Sequence, residues 1–351
     1  MELSQRRTDA HSRALARVTE QELPSVSAED EVQLVKRYLF IMKRLFDSFQ
    51  SPVLPDRVYG FAAHYLKRFY LAQSMMDHYP REIMLTCLYL GCKCADFPIG
   101  VRAFVQHIPR NQERYSNFIV NSELFIIDAI NYDLFVHTPY RPFKGLVVDF
   151  ISYSFQTGRV QMADAKTLYD ELLASGIDTI HKWFQTDLCF SVGPSEYALA
   201  VLVQIPDLFR KYDLDIEAFI RDELCGCDPM VKLDKYSAAL KINDGQNEET
   251  AKKQEKEKEF KDDDDDDDSS DESTKEEMTG NMKPAEQWEL LRQNLKDIQD
   301  YINEFKFVES LAPIENEVNP EEILEQCRNP LYNPGTSEYE EARSVADNSL
   351  L

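Results

Sequence analysis

Seven cysteines, six histidines and 63 carboxylates are the groups in this chain that could ligate a metal or move a proton. Their spacing speaks against both uses. Two C-x-C pairs occur, Cys92/Cys94 and Cys225/Cys227, whereas zinc sites are usually built on pairs with two to four residues between the cysteines. Neither pair has a histidine at ligand spacing. The histidines stand singly along the chain, and none forms an acid–base pair with a neighbour. No Gly-x-Gly occurs, so a dinucleotide fingerprint and a kinase glycine loop are both absent, as are G-K-[ST], H-E-x-x-H and G-x-S-x-G. The pattern predicts no catalytic residue, no metal and no cofactor. It points to a chain that works by binding, and not to an enzyme.

The remaining candidates are charges that interrupt apolar runs. From Pro80 to Cys92 the sequence is almost wholly apolar until Lys93 closes it. A helix hydrophobic on all sides must be surrounded by others, so this segment reads as the central strut of an all-helical domain, with Lys93 held at a defined point on its surface. Pro80 sits where a first-turn proline belongs. The preceding helix buries Val58, Phe61, Ala62, Tyr65, Leu66 and Phe69, with Asp56 as its expected N-cap. Before it, Val32, Val35, Leu39, Met42, Leu45, Phe46 and Phe49 follow a 3.6-residue repeat. A short helix near 100–107 and a longer one carrying Phe118, Ile119, Ser122, Phe125, Ile126, Ala129 and Ile130 complete five helices, over 31–136. Residues 1–30 read as an N-terminal arm or helix.

Two prolines in Val136-His137-Thr138-Pro139-Tyr140-Arg141-Pro142-Phe143 break the helical pattern, giving a linker at 137–142. A second five-helix unit is expected over 143–242, with helices at roughly 143–155, 163–183, 194–209, 215–224 and 228–242. Residues 243–283 are low in complexity and include the run Asp262–Asp268; such a segment buries too little apolar area to order itself. Ser269 and Ser273, each with a glutamate three positions on, are candidate phosphosites there. At 284–309, Trp288, Leu291, Leu295, Ile298, Ile302 and Phe305 recur at spacings of three and four, the seam of a docking amphipathic helix. The proline-rich residues 310–351 are expected to be a disordered tail.

The net charge of −24 is unevenly spread. Residues 1–242 hold 27 basic and 31 acidic groups, and the acidity belongs mainly to residues 243–351. That balance repels a phosphate backbone and predicts no direct nucleic-acid binding. No apolar run reaches the roughly 18 to 20 residues that span a bilayer, so no membrane partner is expected. The arginine-bearing N-terminus has no apolar core of the kind a secretory signal needs. An odd number of cysteines, mostly in apolar helical patterns, fits reduced thiols in the cytosol or nucleus.

Three stretches carry a family likeness: Lys67-Arg68-Phe69-Tyr70-Leu71, the Pro80 to Lys93 helix with Met84-Leu85-Thr86-Cys87, and Pro139-Tyr140-Arg141-Pro142-Phe143. With them the chain resembles the cyclin family, specifically its transcription-type members and among those the cyclin-H group. The likeness covers roughly 30–242 and, more loosely, the Trp288–Phe305 helix. It implies tandem cyclin boxes with extra N- and C-terminal helices, an all-α fold.

It also implies a nuclear regulatory subunit. The partners would be a cyclin-dependent kinase catalytic subunit, a RING-finger assembly factor and the TFIIH core. The activated kinase would phosphorylate other kinases' activation segments and the C-terminal repeats of RNA polymerase II. By position, Lys93 and Glu123 match the cyclin-box pair that faces the kinase, and Ile127 and Tyr132 match apolar neighbours. The chain departs from the family pattern in keeping only Asp96 after the lysine, and in lacking the Met-Arg-Ala-Ile-Leu patch of cell-cycle cyclins. Two other readings remain open at this point: a cyclin-C-like subunit of the Mediator kinase module, and a two-box transcription factor like TFIIB. Against the latter stand the acidic balance and the missing zinc ribbon.

Overall fold

Apolar residues recurring every three to four positions put nearly all ordered parts of the chain into helices. The computed structural model describes residues 2–226, 283–311, 319–333 and 336–349. The expected helix at 228–242, Cys227, nearly all of the acidic segment 243–283 and both Ser269 and Ser273 lie outside the described residues. Among the described residues the only extended pairing is an isolated bridge between Gln50 and Val53.

The chain divides into two compact units, Met1–Leu146 with Leu173–Leu202 and Glu304–Leu351, and Val147–Leu172 with Val203–Asn303. The first opens with α1 (Glu2–Glu20), α2 (Ala28–Asp47), α3 (Asp56–Ala72), α4 (Pro80–Cys94), α5 (Val101–Val105) and α6 (Gln112–Ala129). Ser27 caps α2 by accepting the Asp30 N–H through its side chain. Asp56, expected to cap α3, is instead its first helical residue. Pro55 holds the cap position, and the carboxylate gains from the positive end of the helix without bonding to it. Pro80 starts α4, where a missing N–H costs nothing. Every residue from Glu82 to Cys92 is buried, as the all-round apolar pattern requires. A Cβ on Gly91 would come within 2.8 Å of the Val58 carbonyl oxygen, so glycine is what lets α3 and α4 cross this closely.

The prolines of the interbox segment do not delay the next helix as far as expected. Helix α7 (Tyr140–Gln156) begins at Tyr140 and takes Pro142 into its first turn, where no intrahelical donor is lost. Helix α8 (Met162–Trp183) follows. The boundary between the compact units runs through these two helices, not through 137–142: Tyr140–Leu146 and Leu173–Leu202 group with the first unit. The reason is packing. Phe143 is fully buried over Gly176, where any Cβ would overlap its ring. Tyr140, His181 and Phe184 join Tyr59 in one aromatic cluster, with the Tyr59 and His181 rings 4.9 Å apart. Helices α9 (Leu188–Ser191) and α10 (Pro194–Val203) continue this unit.

The single helix expected over 194–209 is two. Pro206 has no N–H to give, so α10 stops and α11 (Pro206–Lys211) starts on the proline. Helix α12 (Ile216–Phe219) runs on as a π turn, Ile220–Leu224. In this second unit Phe150 packs edge-on against Phe209 and Phe219, at 5.4 and 5.2 Å. Helix α13 (Pro284–Glu304) carries the predicted seam: Leu295, Ile298 and Ile302 are buried, while Trp288, Leu291 and Phe305 are half-buried.

Residues 310–351, expected to be disordered, carry α14 (Pro320–Gln326), a 3₁₀ turn at Pro330–Tyr332 and α15 (Ser337–Ser349). The prolines that suggested disorder sit at helix starts. Asn319 and Asn329 precede them and accept the N–H groups of Glu321 and Leu331, each at 3.1 Å.

The segment is also tied down within the first unit. The Arg17 guanidinium donates to the Cys327 carbonyl oxygen at 2.9 Å, Arg37 to Glu321 Oε1 at 3.1 Å, and the Tyr79 hydroxyl to Glu325 Oε1 at 3.0 Å. Tyr332 stacks on Phe125 and His78. Leu324 and Cys327 are buried as deeply as any core residue.

Candidate functional site

The two charges that interrupt apolar runs meet. Lys93 leaves the last turn of α4, and its ammonium donates to both carboxylate oxygens of Glu123 on α6, at 2.6 and 2.7 Å. It also lies 5.1 Å from the centre of the Tyr89 ring. The pair is open to solvent on the lysine side, with Lys93 46% exposed against 17% for Glu123. An ion pair this exposed adds only about 0.2–1 kcal/mol to the fold, so stability does not account for its placement.

Apolar side chains frame it. Val120, Leu124 and Ile127 follow at helical spacing on α6; the first two are exposed, Leu124 by 75%, and Ile127 is half-buried. Tyr132 stands beyond the helix end, 67% exposed. Its position is fixed by the backbone: Asn131 and Tyr132 both lie at φ 58°, and the Tyr132 N–H donates to the Ile127 carbonyl oxygen at 2.9 Å. Asp128 accepts the Tyr132 hydroxyl and raises its pKa. An aromatic residue in the left-handed region costs roughly 1 kcal/mol or more. Val120, Leu124 and Tyr132 expose apolar surface on the same helix and helix end as Glu123. All four residues singled out by the sequence, Lys93, Glu123, Ile127 and Tyr132, thus belong to α6, its C-terminal end and the adjoining end of α4.

Sequence reasoning missed two buried charge clusters that hold this face in place. Lys67 on α3 is almost completely buried. Its ammonium donates to the Thr186 carbonyl oxygen and to Cys189 Sγ, sits 3.2 Å from Asp187 Oδ1, and lies 4.9 Å from the centre of the Phe190 ring. Arg7 reaches the same carboxylate with two bonds of 2.9 and 3.0 Å, which ties α1 to the cluster. Burial works against the charge on Asp187, but Lys67 and Arg7 together hold its carboxyl below the usual range.

The second cluster is Glu82, nearly inaccessible in α4 and paired with Arg114 of α6 at 2.8 Å and with Arg328 of the C-terminal segment. Burial raises its pKa and the two guanidinium groups oppose that rise. One signal for it was legible: a lone carboxylate inside an otherwise buried helix must have partners.

Burial pushes the Cys92 thiol up to about 12 and Cys87 further. Among the described residues no cluster of three or more His, Cys, Asp or Glu could hold a metal ion, and no helix is long and apolar enough to cross a membrane.

No protein-family model matches the chain. A protein described as a probable cyclin-H from Echinococcus multilocularis is 38% identical over 355 residues, spanning 97% of this chain and 89% of that one. Cyclin-H of Xenopus laevis is 32% identical over 228 residues, 62% of this chain and 66% of its own length. A chain in the solved structure of the CAK complex from Chaetomium thermophilum bound to ATP-gamma-S aligns with a TM-score of 0.60 at 18% identity, covering 99% of this chain and 89% of that one. That last likeness is one of fold. The chain belongs to the cyclin family. Within the family, the likeness that runs its full length, C-terminal segment included, is to a cyclin-H.

Proposed function

We propose that this chain is the non-catalytic regulatory subunit of a cyclin-dependent kinase, acting as a cyclin-H does in a CDK-activating kinase. The observation that carries the reading is the Lys93–Glu123 pair, fixed at a helix crossing and framed by Val120, Leu124, Ile127 and Tyr132. An active kinase needs its αC helix turned inward so that a lysine–glutamate pair can orient the ATP phosphates. A rigid helical face that binds only the inward position shifts the population to the active form. Here the buried clusters at Lys67 and Glu82 supply rigidity, the apolar stripe on α6 supplies the area, and the charge pair supplies register. A nuclear location follows from this reading. So do a RING-finger assembly factor and the TFIIH core as further partners, with kinase activation segments and polymerase II repeats as substrates of the partner.

The test is reconstitution with the cognate kinase. The chain alone transfers no phosphate, and adding it raises the kinase's activity. Lys93→Glu or Glu123→Lys weakens kinase binding by about 10- to 100-fold, because each leaves a charge unpaired in a desolvated contact. The double exchange restores the internal pair with its polarity reversed and does not restore binding, since the partner reads which end is positive. Wild-type affinity in both single variants, or phosphotransfer by the chain alone, overturns the proposal.

A further inference from the structure

A second groove in the first unit has a different character. It encloses about 740 Å³ between the first turn of α3, the segment 135–138, the first turn of α7 and the start of α10. Its walls are apolar: Phe61, Val136, Tyr140 and Pro142, with Phe135 at the mouth, 74% exposed and edge-on to His137 at 4.7 Å. Around it stand Arg57, Arg141 and Lys144, all exposed. Arg57 and Arg141 have no hydrogen-bond or ion-pair partner among the described residues. One acid, Asp56, lies among the lining residues. Burial pushes its carboxyl up, against the pull of Lys144 and Lys43.

One more observation bears on the same groove. Helices α3 and α7, 17 residues each, both begin here, so their unpaired N–H groups and the positive ends of their dipoles add to the cationic rim. A chain with a net charge of −24 thus keeps three cations around an apolar hollow, two of them without a partner among the described residues. Unpaired arginines beside an exposed phenylalanine contribute nothing to the fold, and complementary charge is what steers and orients a partner.

We propose that this groove docks an acidic segment of a partner protein, one that seats a large apolar side chain in the hollow and sets carboxylates against Arg57, Arg141 and Lys144. A nucleic acid fits less well: its backbone extends charge far past the three cations onto a surface that is acidic on balance. The site shares no lining residue with the Lys93–Glu123 patch, so it stands whether or not that patch binds a kinase.

The experiment is fluorescence anisotropy on the full chain with three probes: a labelled peptide of alternating Glu and Phe, the same peptide with Lys for Glu, and a short single-stranded oligonucleotide. The expected result is saturable binding of the acidic peptide alone, weakening as salt rises. The pair Arg57→Gln and Arg141→Gln lowers its affinity by at least about tenfold, and Lys93→Glu leaves it unchanged. Thermal melts confirm that the glutamine variants fold. Equal binding by wild type and the double variant, or no saturable binding, overturns the proposal. Preference for the oligonucleotide also overturns it. A gain of about tenfold or more on deleting 243–283 assigns the groove to the chain's own acidic segment instead of a partner.

Discussion

Lys67 and Lys93 lie near the C-terminal ends of consecutive helices, each among apolar neighbours, and they end in opposite circumstances. Lys67 is 1% exposed, with a carbonyl, a carboxylate, a thiol and an aromatic face around its ammonium. Lys93 is 46% exposed and has one carboxylate beside its ammonium, with the Tyr89 ring 5.1 Å away. A buried charge whose donors are all used is a structural part, because removing it strands its partners in low dielectric. A half-exposed pair set among uncovered leucine, isoleucine and tyrosine side chains adds little to stability and is free to serve a partner. The difference teaches that the proposed binding role falls on the charge that the fold does not need.

Acid is the harshest way to test that division, because it attacks the interior first. Burial lowers His64 to about 3, His181 to about 3 and His78 to about 4, with the Lys67 charge adding to the effect at His64. These three are neutral in the folded chain and become cationic on unfolding below about pH 6.5. Their contribution is therefore complete above pH 6.5 and is lost as pH falls, on the order of 1.4 kcal/mol per pH unit for each histidine. His11 works the other way. Its bond to Glu31 raises its pKa, giving stability that is present below pH 6.5 and lost as pH rises. His11 is protonated in both states below pH 6.5 and adds no slope there, so the three buried histidines predict a melting temperature that falls steeply from pH 6.5 to 5, and His181→Phe should flatten the slope by about a third. A melting temperature flat over that range would break the comparison at its buried side.

Next in size is Lys67→Met, which keeps the stem and removes the charge. It leaves the Thr186 carbonyl unpaired, and the expected loss is about 3–5 kcal/mol in urea unfolding. A loss under about 1 kcal/mol would put Lys67 in the same class as Lys93. Arg328→Ala removes one of two partners from Glu82 and unfastens the C-terminal segment, at a cost of about 3 kcal/mol. Hydrogen exchange checks it: amides of α14 should lose protection before those of α4. Smallest is Lys93→Ala, which should shift stability by under about 1 kcal/mol while weakening partner binding. A large stability loss there would move the pair from binding surface to scaffold.

How much of this was legible varied with the kind of signal. The five helices of the first half, the seam of α13 and the Pro80 start could be read because a 3.6-residue apolar period and a first-turn proline each have one physical meaning. Prolines are a poor marker of disorder in the last forty residues. Proline breaks a helix only from inside it, and Asn319 with Pro320 is a start signal. The break at Pro206 is legible by the same rule. Lys93 and Glu123 stand out as charges in apolar runs, and the family likeness joins them. Nothing in their spacing gives the 2.6 Å contact.

The sequence by itself determined the all-helical fold and which charges interrupt its apolar runs, since period, capping and residue chemistry are local properties. Only the tertiary structure decided which charges are scaffold and which are surface. It is what brought Asp187 to Lys67, 120 positions away, and Arg328 to Glu82, 246 positions away. Whether a lysine is buried depends on what the rest of the chain lays over it. That is settled by long-range packing, which no local pattern encodes.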